Sequence, residues 1–343
     1  MRKLKYLKIK QKNKQDKNRN NGQPLGIKKY ANANKIVGFT LIEIMISLTL
    51  TLILITGVLK VFMSMKVTST KSTLIGELQG NARFALNVLT HDLRMQNFWG
   101  DLAGDLHANK LMAIPTALSN SCKEHGIFQS GFPSKAYHFN ALWGGSANSS
   151  TLMGCIFDAR VNGSGVAYSE FIQIKRVIAD PVKFRDPKYY YLTANSRIAE
   201  IHSGSVAPLS VKDGRTWQYQ NHIYYVREDG QGSNKIPVLM FGRIINNKMH
   251  FSPLIDGVES IAFSYGIDAT GDSRVNHYID IEQLQAKPNS HVVAAKVFVL
   301  VRAALPDSQY KNTNQYQLGS KLFQANDNFH RLLVSSTVNL FNH

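Results

Sequence analysis

The sequence predicts an α+β chain: one long N-terminal helix, membrane-spanning in its first half and amphipathic in its second, packed on a mainly antiparallel β-sheet C-terminal domain. Three observations carry this. An apolar run of 27 residues, Phe39 to Met65, lies near the N-terminus. Behind it Leu74, Leu78, Ala82, Ala85, Leu89 and Leu93 recur at helical spacing with no proline from Val67 to Met95. Beyond Trp99-Gly100, short β-branched and aromatic runs alternate with Gly, Asn and Ser clusters.

The segments follow in order. Residues 1–38 hold twelve of the 40 Lys/Arg and one of the 23 acids, Asp16. This leader therefore carries +11 and the remainder of the chain +6. Rich in Lys, Asn and Gln, it cannot bury a core. Its charge against an apolar span predicts that residues 1–38 stay on the cytoplasmic side. A basic tail for nucleic acid is the rival reading, and the adjoining apolar segment weighs against it.

Residues 39–66 form the membrane half of the helix. A helix of that length covers about 40 Å, against the ~30 Å hydrocarbon core. It exceeds a secretory apolar region, and no small-residue cleavage site follows it. One acid, Glu43, interrupts it near the start. A carboxylate there costs roughly 2.5–3.5 kcal/mol on insertion scales, which suggests a role. Residues 67–96 continue as the amphipathic half. The leucine–alanine stripe needs a partner surface, most simply the C-terminal domain. Lys71, Glu77, Gln79, Asn81, Arg83 and Asp92 are assigned to its solvated face.

Residues 97–343 make the β-rich domain. Expected strands are Glu170–Ile178, His222–Arg227, Pro237–Arg243, Val258–Tyr265, Val292–Arg302 and Leu332–Leu340, with 101–165 loop-rich. The chain has two cysteines, Cys122 and Cys155, both on the side expected to be exported. They allow one disulfide, worth roughly 3–4 kcal/mol in the chain-entropy model.

Enzyme motifs are not found. The sequence holds no Walker A, G-x-S-x-G or H-E-x-x-H pattern, and no two of its eleven histidines stand four apart. No cofactor is expected. Asp268, Thr270, Asp272 and Asn276 place oxygen side chains at positions 1, 3, 5 and 9 of a loop, a faint calcium pattern. The glycine stands at position 4 and Ile279 at position 12, so an Asp/Gly turn is the preferred reading.

The residues Gly38-Phe39-Thr40-Leu41-Ile42-Glu43 resemble the class III signal of type IV prepilins. The resemblance implies cleavage after Gly38 by a prepilin peptidase, methylation of the new N-terminal Phe39, and an assembly role for Glu43, matching the Phe39 ammonium of a neighbouring subunit. A second segment, Glu77 to Gly100, is similar to PilW-type minor pilins at Gln79, Arg83, Phe84, Ala85, Leu86, Leu89, Asp92, Leu93, Arg94, Trp99 and Gly100. Asp256–Asp272, the run VVAAKVFVLVR and the ending STVNLFN share that likeness. The fold implied is type IV pilin-like. The function implied is a minor pilin that primes the fibre and joins it at the tip. The implied partners are other minor pilins and the major pilin, the prepilin peptidase and methylase, the inner-membrane assembly platform and a PilY-type tip adhesin, with no specific nucleic acid. The implied location is the inner membrane, N-terminus cytoplasmic, then the fibre. The alternatives are a type II secretion pseudopilin of the J class and a single-pass anchored periplasmic binding protein.

Overall fold

The computed structural model describes residues 38–115, 122, 131–133, 139–209, 211–230, 235–287 and 290–341. The leader reading on residues 1–37 lies outside these. The chain divides into two units, 1–64 and 65–343.

In the first unit, helix α1 begins at Leu41 and runs unbroken into the second unit, to Arg94. Thr40 starts it: the amides of Glu43 and Ile44 both donate to its carbonyl, at 3.1 and 3.2 Å, and its hydroxyl lies 3.4 Å from the Glu43 amide. A Thr three residues before a Glu is the sequence pattern of a capping box. Phe39 and Thr40 therefore precede the helix, two residues later than the apolar run alone suggests. Side chains of this segment are exposed throughout, and its length and composition are those of a membrane-crossing helix.

Among the described residues, the second unit holds the rest of α1 and thirteen strands. Leu78, Ala82, Ala85, Leu89 and Leu93 are all buried. They pack into one core with Val258, Ile261 and Phe263 and with Ala295, Val297, Val299 and Val301. Small residues at 82 and 85 let the helix approach the strands closely, while leucines above and below fill the flanks. Five residues of the expected stripe are buried, and the sixth, Leu74, is half covered.

Strands β1 (Leu142–Ser146), β2 (Glu170–Val177), β3 (Tyr190–Ala194), β4 (Ala199–Ser203), β5 (Arg215–Asp229), β6 (Ile236–Ile245) and β7 (Lys248–Asp256) form a seven-stranded sheet in the order β1-β2-β5-β3-β4, with β6 on β5 and β7 on β6. The fifteen-residue β5 organises it. Its first half pairs with β3, its second with β2 and β6. Strands β8 (Val258–Asp268), β9 (His277–Ile279), β10 (His291–Arg302) and β13 (Arg331–Asn339) form a four-stranded sheet in the order β13-β10-β8-β9. A hairpin of β11 (Gln315–Leu318) and β12 (Lys321–Gln324) and a short helix α2 (Ile281–Ala286) complete the set. Every ladder between these strands is antiparallel.

All six expected strands are present with ends shifted by a few residues. The expectation for 222–227 is a fragment of β5. Strand β10 lacks alternation because both its faces are covered. Val297 and Val299 meet the helix core, while Phe298 and Leu300 meet a small core with Tyr316 and Phe323 of the hairpin. A further core gathers Trp99, Trp217, Tyr219, Phe132 and the two cysteines. Gly100 makes its centre possible. At φ +66° a Cβ there would stand 2.6 Å from the Trp217 ring.

Candidate functional site: the processing segment and the charged ties of the core

Gly38, Phe39 and Glu43 lie together at the start of α1. Gly38 and Phe39 are exposed and outside the helix; Glu43 falls in the first turn. A carboxylate there is favoured by the positive pole of the helix dipole. The main-chain amide of Glu43 is bonded to Thr40, and its carbonyl accepts the Ser47 hydroxyl. Among the described residues its carboxylate has no hydrogen-bonding or ionic partner. The arrangement is a peptide accessible before a helix, then an acid one turn into an apolar surface.

At the other end of α1 the structure corrects the solvated-face assignment of Asp92. Its side chain is 3 % exposed. Arg176 Nε of β2 donates to Oδ1 at 2.6 Å. His222 Nδ1 and the Tyr224 hydroxyl, both of β5, donate to Oδ2 at 2.6 and 2.8 Å. Burial opposes ionisation, but the His222 imidazole and the Arg176 guanidinium outweigh it and hold the carboxyl at about 2. Asp92 thus locks the last turn of the helix to the middle of the seven-stranded sheet. Asn81 adds a second polar tie, its side-chain amide donating to the Asp256 carbonyl at 3.1 Å.

A second buried acid, Glu259 of β8, receives Arg331 through two bonds of 2.5 and 3.0 Å, with Arg160 and Arg302 each 3.6 Å away. Arg331 also grips Asp327 by two bonds of 2.6 Å. Arg160 also donates to Glu228 of β5 at 3.0 Å, so the cluster ties the four-stranded sheet to the seven-stranded one. Glu170 of β2 is also buried. Burial pushes its carboxyl up to about 8, although the Phe263 amide donates to it at 3.1 Å. Sequence reasoning passed over both acids, because each sits in an otherwise ordinary strand and its partners are remote along the chain.

The expected oxygen loop is a turn folded on itself. Asp268 accepts from the amides of Thr270, Gly271 and Ser273 at 2.9, 2.7 and 2.7 Å, and Asn276 accepts from the Ala269 amide at 2.6 Å. Thr270 Oγ1 lies 3.1 Å from Asp272. Burial works against the Asp268 charge, yet the amides of Gly271, Ser273 and Thr270 hold its carboxyl at about 2. Its oxygens are already committed to the backbone. Among the described residues no group of three His, Cys, Asp or Glu is placed to hold a metal ion. Cys122 and Cys155 are joined by a disulfide, Cα atoms 4.9 Å apart, inside the tryptophan core.

Residues 223–342 match the family model PilW, Type IV Pilus-assembly protein W. The match begins within β5 and takes in Glu259, Arg302 and β13 with Arg331, while Arg160 lies before it. No curated protein and no solved structure shows a match.

Proposed function

From the match over residues 223–342, which supports a PilW-type type IV pilus protein, we propose that this chain is a minor pilin that helps prime the fibre and is built into it, at the tip. The basic leader stays cytoplasmic and a prepilin peptidase cuts after Gly38. Phe39 then becomes a methylated N-terminus. The chain waits in the inner membrane on the apolar half of α1 until the assembly platform draws it out. It then packs beside the helices of other minor pilins and the major pilin, and a PilY-type adhesin is its neighbour at the tip.

The observation that carries this reading is the register of the first turn: an accessible Gly38-Phe39 peptide, a Thr40 cap and Glu43 facing out from an apolar helix. Cleavage creates an ammonium group at Phe39. A carboxylate on an adjacent helix neutralises it, and in a low-dielectric setting a pair is tolerable where a lone ion is not. The mechanism is transfer of an apolar helix from lipid to a bundle of like helices, with Glu43 setting its depth.

Mass spectrometry of the mature protein tests it, with methyl-Phe39 as the expected N-terminus. Gly38→Ala is expected to leave an uncleaved, membrane-bound precursor. Normal processing of that variant overturns the peptidase reading. Glu43→Ala is expected to be processed yet absent from sheared surface pili; unchanged incorporation overturns the pairing role. Absence of the wild-type chain from sheared pili would leave an anchored periplasmic protein as the better reading.

A further inference from the structure

Among the described residues, each edge of the two larger sheets but one is covered or blunted. The free side of β4 is taken by residues 111–113: the Met112 amide donates to Ala199 and the Ile201 amide to Ala113, at 2.9 and 3.3 Å. At β1, the Gly144 carbonyl accepts the Gln285 side chain of α2. Strand β9 is three residues long. Strand β7 carries Pro253 in its middle, a bulge at Leu254 opposite Leu239/Met240, and Lys248 and Asp256 at its ends. Proline, bulges and charge are the usual means of blunting an edge.

Strand β13 has no proline and no bulge against β10, and its one charged residue, Arg331, is bound to Glu259. From Leu332 to Asn339 it holds no proline and no charged residue. Its bonding direction follows from its neighbour. The Leu340 amide donates to Val293 and the Ala303 amide to His330, so odd residues of β10 face β13 and even residues of β13 face β10. The main-chain groups of Leu333, Ser335, Thr337 and Asn339 therefore point away from the sheet. Among the described residues nothing pairs with them. Leu332, Leu333 and Val334 are only half buried beside this edge.

We propose that the outer edge of β13 is a docking site for an extended segment of a second protein, added to the sheet as a fifth strand. A row of free N–H and C=O groups is complementary to another extended backbone. The flanking chemistry sets its character: apolar residues on the helix side to cover Leu332 and Val334, polar residues opposite Ser335 and Thr337. A second copy of β13 fits poorly. Two-fold pairing about Ser335 would set Leu333 against Thr337 and Arg331 against Asn339. The inference stands apart from the processing of Gly38 and the pairing of Glu43.

The test places a photo-crosslinking amino acid at Ser335, Thr337 or Asn339 of the full chain in piliated cells, with Lys248 on β7 as control. The crosslinked peptides are then sequenced. The expected result is one partner segment whose contacts step by two residues as the probe steps by two. In the same assay Ser335→Pro, which removes an outward amide and leaves the β10 ladder intact, is expected to reduce the crosslink at Thr337 at least tenfold with the melting temperature of the purified chain unchanged. Contacts without register, crosslinks to β13 of another copy, or equal crosslinking in a normally folded Ser335→Pro chain would overturn the proposal.

Discussion

Asp92→Ala is the most exacting test of how the helix is held. The substitution removes an acceptor shared by Arg176, His222 and Tyr224, all within 2.8 Å of its oxygens. Arg176 then keeps its charge in an enclosed site with one remaining bond, to the Val177 carbonyl at 3.2 Å. Breaking a buried pair from one side costs about 3–5 kcal/mol, a large share of the ~5–15 kcal/mol that holds a typical domain. Acid reaches the same tie by another route. The carboxyl lies at about 2, against an ordinary 3.8, and at ~1.4 kcal/mol per unit this is worth about 2 kcal/mol. A depressed carboxyl stabilises above its unfolded pKa, so the contribution is whole above pH 4 and is lost as pH falls towards 2. Denaturant unfolding of the full chain in detergent, followed by circular dichroism at pH 7 and between pH 4 and 2, reads both effects. The expected wild-type chain shows this acid loss, and Asp92→Ala shows a lower midpoint at pH 7 with the acid step diminished. A loss below 1 kcal/mol at pH 7, or an undiminished acid step, would refute the assignment of Asp92 as the tie.

Other substitutions probe the remainder of the core. Glu170 titrates in the opposite sense. Its raised carboxyl favours the fold when protonated, so its contribution is whole below pH 4.5 and fades as pH rises through about 8. Glu170→Gln is therefore expected to melt higher than wild type at pH 9 and at nearly the same temperature at pH 5, and an identical difference at both pH values would count against it. Gly100→Ala puts a methyl group into the Trp217 ring at a positive φ, and a loss of about 1–3 kcal/mol, with altered tryptophan fluorescence, is expected. Leu89→Ala opens a void between helix and sheets; about 2–5 kcal/mol is expected by denaturant unfolding, and a smaller loss would mean that the helix is held chiefly by its polar ties.

The elements legible in the sequence were those whose pattern is set locally. The stripe from Leu74 to Leu93 shows because one side of a helix faces one core. The run from Val292 to Arg302 shows because a strand covered on both faces is apolar throughout. Asp92 did not show, since it stands beside Leu93 on the helix and nothing local says that Arg176, His222 and Tyr224 will arrive there from strands far along the chain. Strand β1 falls in the stretch expected to be loop-rich; it contains Gly144 and Gly145, and a Cβ at Gly144 would lie 2.7 Å from the Phe171 carbonyl, so glycine there permits a close strand where its usual sequence meaning is a turn. The hairpin of β3 and β4 has its signal, Asn195-Ser196 between two tyrosine- and isoleucine-bearing runs, but each strand has five residues. The processing segment was read from Gly38, Phe39 and Glu43, and the structure adds Thr40, whose backbone and hydroxyl set where the helix starts.

The burial along α1 also marks where the chain can be cut. Up to Thr73 every described side chain is exposed, Leu74 is the first to be half covered, and Leu78 the first to be buried. A protein started at Thr68 would discard the apolar surface that demands detergent and keep the whole stripe that meets the sheets, together with Asp92 and its three donors. The stretch between Met65 and Thr73 is therefore a natural handle. It is the place to sever, tag or fuse the chain when the folded unit is wanted in water.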